Sequence, residues 1–468
     1  MNVYFFLIKI LFILFLFLIL NCSLLAQEKL AKNDNLKEKI MYNDATIEEK
    51  YFFLRKQMQE RFIKIGEGAG HSIPAMIDNP VFADWSNLEG CSKNETGYIR
   101  WTDATLYMGD YLAILATEYK IFKKNNCSTN RNTRELYFAL KAINRLDSVA
   151  EHSIFDISDS DRRYESNGFL VRDDVEADFV LDNFRRSSFF SDMAHCKEKR
   201  YNAMSQDQII GLLFGLRFVA HFYDEKTAYK GVFLKQEAMN ITHRLVNYLK
   251  KCNWWIRNPV TAKGVPRGQG VMLQSYPIAK AGKMISAQNY QNWWSKTVAQ
   301  LAWRAAQLPF RVLSSWRFHN IFRDKKNERI IYNDVNNGMM LRLASISNTW
   351  SRRKILVNSL AADMEVYALA HAALEGYQPN GVSEAAFRSL LEVMPSTGPF
   401  FYGDKQRATG AWASVDRWTH PSDKNSGPKK NLNKEGNYIG LDYMLYFNLY
   451  YLVYNNCLSI NCKKNFAY

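Results

Sequence analysis

Apolar residues recur at helical spacing along most of the chain, and strand-like alternation is scarce. The pattern predicts ten helices, over residues 45–64, 103–123, 133–151, 205–224, 233–251, 287–307, 335–347, 354–375, 383–394 and 440–455. In several pairs, a helix that is apolar on every side precedes an amphipathic one. Because the first kind must be enclosed while the second can cover it and face water, the pattern predicts an all-α fold.

Repeating such a helix pair in a circle gives an inner and an outer ring, an α/α toroid of about five or six helical hairpins. Five small residues would let neighbouring inner helices approach closely: Gly109, Ala113, Ala116, Gly211 and Gly215. An open solenoid is the alternative, but its repeats have a fixed period that this chain lacks. The expected organisation is one toroid domain over 27–468, with an N-terminal extension over about 27–95, and long loops at one face.

Residues 1–26 are typical of a secretory signal peptide, with a lone Lys9, an apolar run and Ala26 before the expected cleavage point. We therefore expect an exported protein, periplasmic or extracellular, with no transmembrane anchor after cleavage. Lipid anchoring at Cys22 is the alternative. Without Cys22, six of the seven cysteines remain, which predicts disulfides paired in sequence order in an exported chain.

The net charge of +15 at pH 7 favours anionic partners. The Lys and Arg residues are spread along the chain, and nucleic acid is not an expected partner outside the cytosol. We therefore expect an anionic carbohydrate, and the alternative is a charge that only aids solubility. The sequence contains no H-E-x-x-H, no G-x-S-x-G and no phosphate-binding glycine loop, so neither a metal nor a cofactor is expected.

Two predicted inner helices begin with an acidic residue. Ser205 and Gln208 have the S-x-x-Q spacing of a capping box, with Asp207 in the first turn. Asp103 follows Trp101 at the start of another all-apolar helix. A cap and a dipole partner are the structural interpretation of these acids. The functional interpretation is a pair of catalytic carboxylates at one rim of the ring, with Gln208 and Trp101 contacting the substrate.

The segment 166–179 contains Arg172, Asp173 and Asp174. Adjacent acids point to different sides of an extended chain, so one of Asp173 and Asp174 can face a site while the other pairs with Arg172. A carboxyl in a like-charge cluster has a raised pKa, as a general acid requires. Solvated turn residues are the alternative. His195, in a loop, is a candidate proton shuttle.

Loop tryptophans suit a carbohydrate cleft because an indole face stacks on the apolar face of a sugar ring. The candidates are Trp254, Trp255, Trp412 and Trp418. Core packing is the alternative for each of them. Arg172 and Arg267 are expected to bind a substrate carboxylate or sulfate in the bidentate manner that suits guanidinium.

In its helical alternation and its acids at helix starts, the chain resembles the α/α-toroid, six-hairpin carbohydrate-active enzymes over most of residues 95–455. The resemblance implies a glycoside hydrolase acting on acidic oligo- or polysaccharide through paired carboxylates, here Asp207, Asp103 and Asp173. Two alternatives stay open. One is a lyase of uronic-acid polymers, suggested by the "NWW" of residues 253–255, and the other is a non-catalytic glycan-binding or scaffold protein on the same toroid.

Overall fold

The computed structural model describes residues 46–75, 77–79, 98–101, 103–155, 166–186, 189–195, 202–257, 271–305, 329–361, 364–393 and 437–454. The predicted signal peptide, Cys22 and most of the N-terminal extension lie outside these residues.

The described residues are mostly helical. Their helices are α1 (Ile47–Gln57, continued by a π-helical turn Met58–Phe62), α2 (Ala104–Lys124), α3 (Asn130–Ser148), α4 (Ala150–Phe155), α5 (Ala177–Phe184), α6 (Asp192–His195), α7 (Gln206–Phe222), α8 (Leu234–Lys251), α9 (Ser275–Ser286), α10 (Trp293–Lys296), α11 (Val298–Ala305), α12 (Arg329–Ser347), α13 (Arg352–Ala361), α14 (Val366–Glu375), α15 (Glu384–Val393) and α16 (Leu441–Tyr454).

Six of these helices pack in a closed circuit. The helix α2 contacts α7, α7 contacts α9, α9 contacts α12, α12 contacts α14, α14 contacts α16, and α16 returns to α2. A second set covers them: α3 packs on α2, α8 on α7, α11 on α9, α13 on α12 and α14, and both α15 and α1 on α16. The predicted alternation of enclosed and covering helices is therefore present, and α1 joins the N-terminal part of the chain to its C-terminal helix.

The contact between α2 and α7 depends on glycine. A methyl group added at Gly109 would lie 1.9 Å from the carbonyl oxygen of Gly211, and one added at Gly215 would lie 2.2 Å from the carbonyl oxygen of Gly109. The backbones therefore touch directly, as the sequence predicted for these three glycines. Residues from Ala104 to Tyr119 in α2 are all buried, which matches a helix that is apolar on every side.

A small four-stranded sheet in the order β3-β2-β1-β6 stands beside the helices, and the sequence analysis did not predict it. Its strands are β1 (Ile77–Asn79), β2 (Tyr98–Arg100), β3 (Phe189–Phe190) and β6 (Asn437–Tyr438). The strand β1 pairs antiparallel with β2 and with β6, whereas β2 and β3 are parallel. A separate hairpin joins β4 (Ala228–Tyr229) to β5 (Val232–Phe233).

Three predictions about helices were wrong. The predicted helix 354–375 is two helices, α13 and α14, and the predicted helix 287–307 is the shorter α10 and α11, separated at Thr297. The segment 252–286, predicted as a loop, contains α9, in which Pro277 and Gly282 weaken the helical signal. None of the helices in the described ranges is both long enough and apolar enough to cross a membrane.

Candidate functional site: a carboxylate cluster at the starts of two parallel helices

Two aspartates are brought together by the pairing of β2 with β3. In this parallel pair Arg100 lies opposite Phe190, and the backbone nitrogen of Trp101 donates to the carbonyl oxygen of Phe190 at 2.8 Å. Asp103 follows β2 and Asp192 follows β3 within three residues. Because parallel strands end at the same edge, these two side chains, 89 positions apart in the sequence, reach the same region.

The same region contains the starts of α2 and α7. The backbone nitrogen of Ser205 donates to Oε1 of Gln208 at 3.0 Å, which confirms the predicted capping box. The amide nitrogen of Gln208 donates to Oδ1 of Asp103 at 3.1 Å, which joins the two helix starts. The prediction that Gln208 contacts substrate was wrong, because its side chain is fully buried and both ends of its amide are engaged. It positions Asp103 instead.

Asp103 stands at the N-cap position of α2 without capping the helix through its side chain. Its φ of 56° and ψ of 28° lie in the left-handed region, which is unfavourable for a residue other than glycine. Strain of this kind costs about 1–3 kcal/mol and persists where the surrounding structure enforces it. From this position the side chain of Asp103 contacts Gln208 and Arg172.

Arg172 connects the two aspartates. Its Nη1 lies 3.5 Å from Oδ1 of Asp103 and 3.4 Å from Oδ2 of Asp192, and its Nε donates to the carbonyl oxygen of Ala203 at 3.0 Å. With these partners Arg172 serves to hold the carboxylates in place. Its predicted role as a substrate-binding arginine stays a prediction.

Asp173 and its neighbour Asp174 point to different sides, as predicted. Asp174 pairs with Arg145 at 2.5 Å and not with Arg172, so the predicted arginine partner was wrong. Asp173 has no exposed surface and accepts hydrogen bonds from the backbone nitrogens of Val175, at 3.2 Å, and of Asp192, at 2.9 Å. Both its oxygens hold the loop that carries Asp192, so Asp173 acts here as a positioning residue, and its predicted catalytic role stays a prediction.

Two carboxyls of the carboxylate cluster, which consists of Asp103, Asp173 and Asp192, have raised pKa values. Burial raises the pKa of Asp192 from 3.8 to about 6, the charge of Asp103 adds to this effect, and Arg172 and Arg100 oppose it. The pKa of Asp173 is raised well above its ordinary value by burial, by Asp192 and by Asp174, against two backbone hydrogen bonds. The cluster therefore contains a carboxyl that changes its protonation near neutral pH, as a general acid must.

Asp207 and His195 each form a hydrogen bond with a residue close in sequence. Asp207, which is 8% exposed, accepts a hydrogen bond from the hydroxyl of Ser205 in the first turn of α7. His195 is half-buried at the end of α6, where its Nδ1 accepts from the backbone nitrogen of Ser191 at 3.2 Å and its ring stacks on Phe190. The predicted catalytic role of Asp207 and the predicted proton-shuttle role of His195 stay predictions.

Two of the predicted sugar-stacking tryptophans belong to the core. Trp101 has no exposed surface, and its indole nitrogen donates to the carbonyl oxygen of Ile73 at 3.2 Å. Trp254 is 1% exposed and donates to Asn292 at 3.4 Å. A buried indole presents no face to a ligand, so these two predictions were wrong.

The remaining predicted substrate-binding residues stay predictions. Trp255 is half-buried, with the guanidinium of Arg257 5.4 Å from its ring centroid. Arg267, Trp412 and Trp418 lie outside the described residues. Cys252 carries a free thiol, so the pair with Cys196 that sequence-order pairing predicts was wrong, and the other predicted pairs stay predictions.

The sequence analysis missed Asp192, the carboxyl of the cluster whose pKa is raised to about 6. Its only local signal is "FFSD", a short aromatic strand that ends in an acid, and the strand partner is remote in sequence. Among the described residues, no group of three or more His, Cys, Asp or Glu side chains could hold a metal ion. Comparisons with family models, with curated proteins and with solved structures find no match, so function is inferred from geometry.

Proposed function

We propose that this protein is a glycoside hydrolase that acts on an acidic oligo- or polysaccharide, with Asp192 as the proton donor and Asp103 as the second carboxylate. One observation carries the proposal. A single guanidinium nitrogen of Arg172 lies within 3.5 Å of both carboxylates, although their segments enter the site from different parts of the chain.

Glycosidic bond cleavage needs one protonated and one ionised carboxyl on opposite sides of the bond. Oδ1 of Asp103 and Oδ2 of Asp192 share a neighbour at 3.5 and 3.4 Å, so they lie no more than about 7 Å apart. Paired carboxyls in these enzymes are ~5 to 9.5 Å apart. The upper bound of about 7 Å overlaps this range, which supports a pair close enough to act on one bond.

The two aspartates differ in the way that acid and base roles require. Asp192, with a pKa of about 6, is partly protonated near neutral pH and can donate to a leaving oxygen. Asp103 accepts from Gln208 and Arg172, two donors that suit an ionised carboxylate. It is the partner expected to attack the sugar or to activate a water molecule.

We further propose that the helices form an α/α toroid in an exported protein. The closed circuit of α2, α7, α9, α12, α14 and α16, each with a covering helix, supports this architecture. The direct contact of α2 with α7 and the link from Gln208 to Asp103 support a site at the end of the ring where inner helices begin. The positive net charge supports an anionic substrate.

The test is a screen of the purified protein against acidic and neutral polysaccharides, read by new reducing ends and by ultraviolet absorbance of unsaturated products. Asp103→Asn and Asp192→Asn are expected to abolish cleavage while glycan binding persists. Asp224→Asn, at a half-exposed surface pair, is the matched control and should keep full activity. Unsaturated product would indicate a lyase, and binding without cleavage by any of these proteins would indicate a non-catalytic glycan-binding protein.

A further inference from the structure

One short stretch of the chain exposes an unusual share of large apolar side chains. Among the described residues seven such side chains are exposed, and four of them lie within residues 271–305: Leu273, Trp293, Val298 and Leu301. Trp293 and Leu301 are each 71% exposed, the highest values of the seven. Single exposed apolar residues are ordinary on a protein surface, whereas a contiguous group marks an interaction site.

Trp293, Thr297 and Leu301 lie on one side of the pair formed by α10 and α11. The backbone nitrogen of Thr297 donates to the carbonyl oxygen of Trp293, and that of Leu301 donates to the carbonyl oxygen of Thr297, each at 3.0 Å. The helical turn therefore continues from α10 into α11, and residues four apart are neighbours on its surface. All three are exposed, as is Arg304, one turn beyond Leu301.

The opposite side of the helical pair packs on the core. Ser295, Ala299 and Trp303, which are also four apart, are all buried. The indole nitrogen of Trp303 donates to Oγ1 of Thr349 at 2.8 Å, and its ring stacks on that of Trp350. Because this side is fixed to the core, the side that carries the exposed tryptophan and leucine faces away from the core.

The backbone on both sides of Trp293 is fixed to neighbouring segments. Oδ1 of Asn292 accepts from the indole nitrogen of Trp254 at 3.4 Å. The indole nitrogen of Trp294 donates to the carbonyl oxygen of Met272 at 3.1 Å. The exposed indole is therefore presented by an ordered backbone, which reduces the entropy that is lost when it binds a partner.

The surroundings of this exposed side are positively charged. Residues 271–305 contain four basic residues and no acidic one, and two of the basic residues, Lys296 and Arg304, are exposed on α10 and α11. The first three residues of α13 are basic and exposed, and they closely follow Trp350, which stacks on the buried tryptophan of α11. The carboxylate of Glu375, which accepts from Asn348 at 3.3 Å, offsets one of these charges. The sum is positive.

We propose that the exposed side of α10 and α11 binds the surface of a membrane that contains anionic lipids. Tryptophan and aliphatic side chains beside basic ones are typical of helices that lie in the membrane interface. Trp293 and Leu301 enter the boundary between headgroups and acyl chains, while Lys296, Arg304 and the start of α13 contact the lipid phosphates. An anionic polysaccharide would also attract the basic residues, but its hydrated groups offer an exposed leucine little apolar surface. This proposal does not depend on the glycoside hydrolase proposal.

The test is flotation of the purified protein with vesicles of phosphatidylcholine alone and with vesicles of equal parts phosphatidylcholine and phosphatidylglycerol. The protein is purified after export, and its intact mass is checked for removal of residues 1–26, because their apolar run would itself bind vesicles. We expect binding to the anionic vesicles to be at least about tenfold tighter than to the neutral ones and to weaken as salt is added.

The double variant Trp293→Gln/Leu301→Gln should weaken binding to the anionic vesicles by at least about tenfold. The matched control is Leu181→Gln/Phe233→Gln, which removes side chains that are 57% and 53% exposed on α5 and β5, and it should bind like the wild type.

Three results would overturn the proposal. The first is a wild type that does not bind the anionic vesicles or binds both kinds equally. The second is a variant Trp293→Gln/Leu301→Gln that binds the anionic vesicles as tightly as the control. The third is a variant that keeps its vesicle binding but is no longer retained on immobilised dextran sulfate, which would assign this surface to an anionic polysaccharide.

Discussion

Replacing Asp192 with asparagine should stabilise the protein above pH 6, although Asp192 is the proposed proton donor. The raised pKa of Asp192 means that the folded state holds this proton more tightly than the unfolded state. Its contribution to stability is complete below pH 3.8 and is lost as the pH rises through about 6. Asparagine keeps the shape without ionising, so it escapes that loss.

The magnitude follows from the two pKa values. The difference between 3.8 and about 6, at about 1.4 kcal/mol per pH unit, is about 3 kcal/mol. The free energy of unfolding of Asp192→Asn minus that of the wild type should therefore shift by about 2.4 kcal/mol in favour of the variant between pH 4 and pH 7.5, because part of the full difference is already present at pH 4. Arg172 keeps Asp103 as a partner, so the substitution leaves no unpaired arginine.

The assay is denaturant unfolding of both proteins across this pH range. Asp224→Asn is the control of opposite sign, because hydrogen bonds from Lys123 and Tyr119 lower the pKa of Asp224. The stabilising effect of Asp224 is present above its ordinary pKa and is lost as the pH falls. Because the site is half-exposed, this effect amounts to at most about 1 kcal/mol. The reasoning would be refuted if the difference in free energy of unfolding between Asp192→Asn and the wild type did not change with pH, or if the variant became less stable relative to the wild type as the pH rose.

Three further substitutions or reactions test the fold. Gly109→Ala should destabilise the protein by about 3 kcal/mol or more in denaturant unfolding, because the added methyl would lie 1.9 Å from a backbone oxygen. Gly338→Ala is the control and should change the free energy of unfolding little, because the nearest neighbours of its methyl would lie at 3.8 Å. Arg342→Met should cost about 3–5 kcal/mol because it leaves Asp110 buried without its partner at 2.8 Å, and adding Asp110→Asn should recover part of this. The thiol of Cys252, half-buried and with a pKa raised by burial, should react slowly with a thiol reagent at pH 8 and rapidly after unfolding; equal rates would contradict its burial.

The helices were predictable where packing and sequence pattern agree. The residues of α2 and α7 are apolar on every side because both helices are enclosed, and their glycines mark the place where the backbones touch. The helix α9 was missed because Pro277 and Gly282 are poor helix formers, and tertiary packing stabilises it in spite of them. The short strands were missed because two or three residues are too few for an alternating pattern.

The site was partly predictable for the same reason. The starts of two parallel helices lie at the same end when the helices pack side by side, and Gln208 at the start of α7 contacts Asp103 at the start of α2. The contribution of Asp192 depends on the pairing of β2 with β3, strands about 90 residues apart, and no local pattern reports a pairing of that range. The burial of Trp101 and Trp254 could not be predicted either, because a tryptophan at a helix end can pack in the core or line a cleft.

The most direct test of the proposed chemistry is the pH dependence of kcat/KM for the best polysaccharide substrate, compared between the wild type, Asp192→Asn and Asp207→Asn. If Asp192 donates the proton, wild-type activity falls as the pH rises above about 6, and Asp192→Asn loses at least about a hundredfold at every pH. Asp207→Asn keeps the wild-type profile. Full activity in Asp192→Asn, or a loss confined to Asp207→Asn, would contradict the assignment of the carboxylate pair.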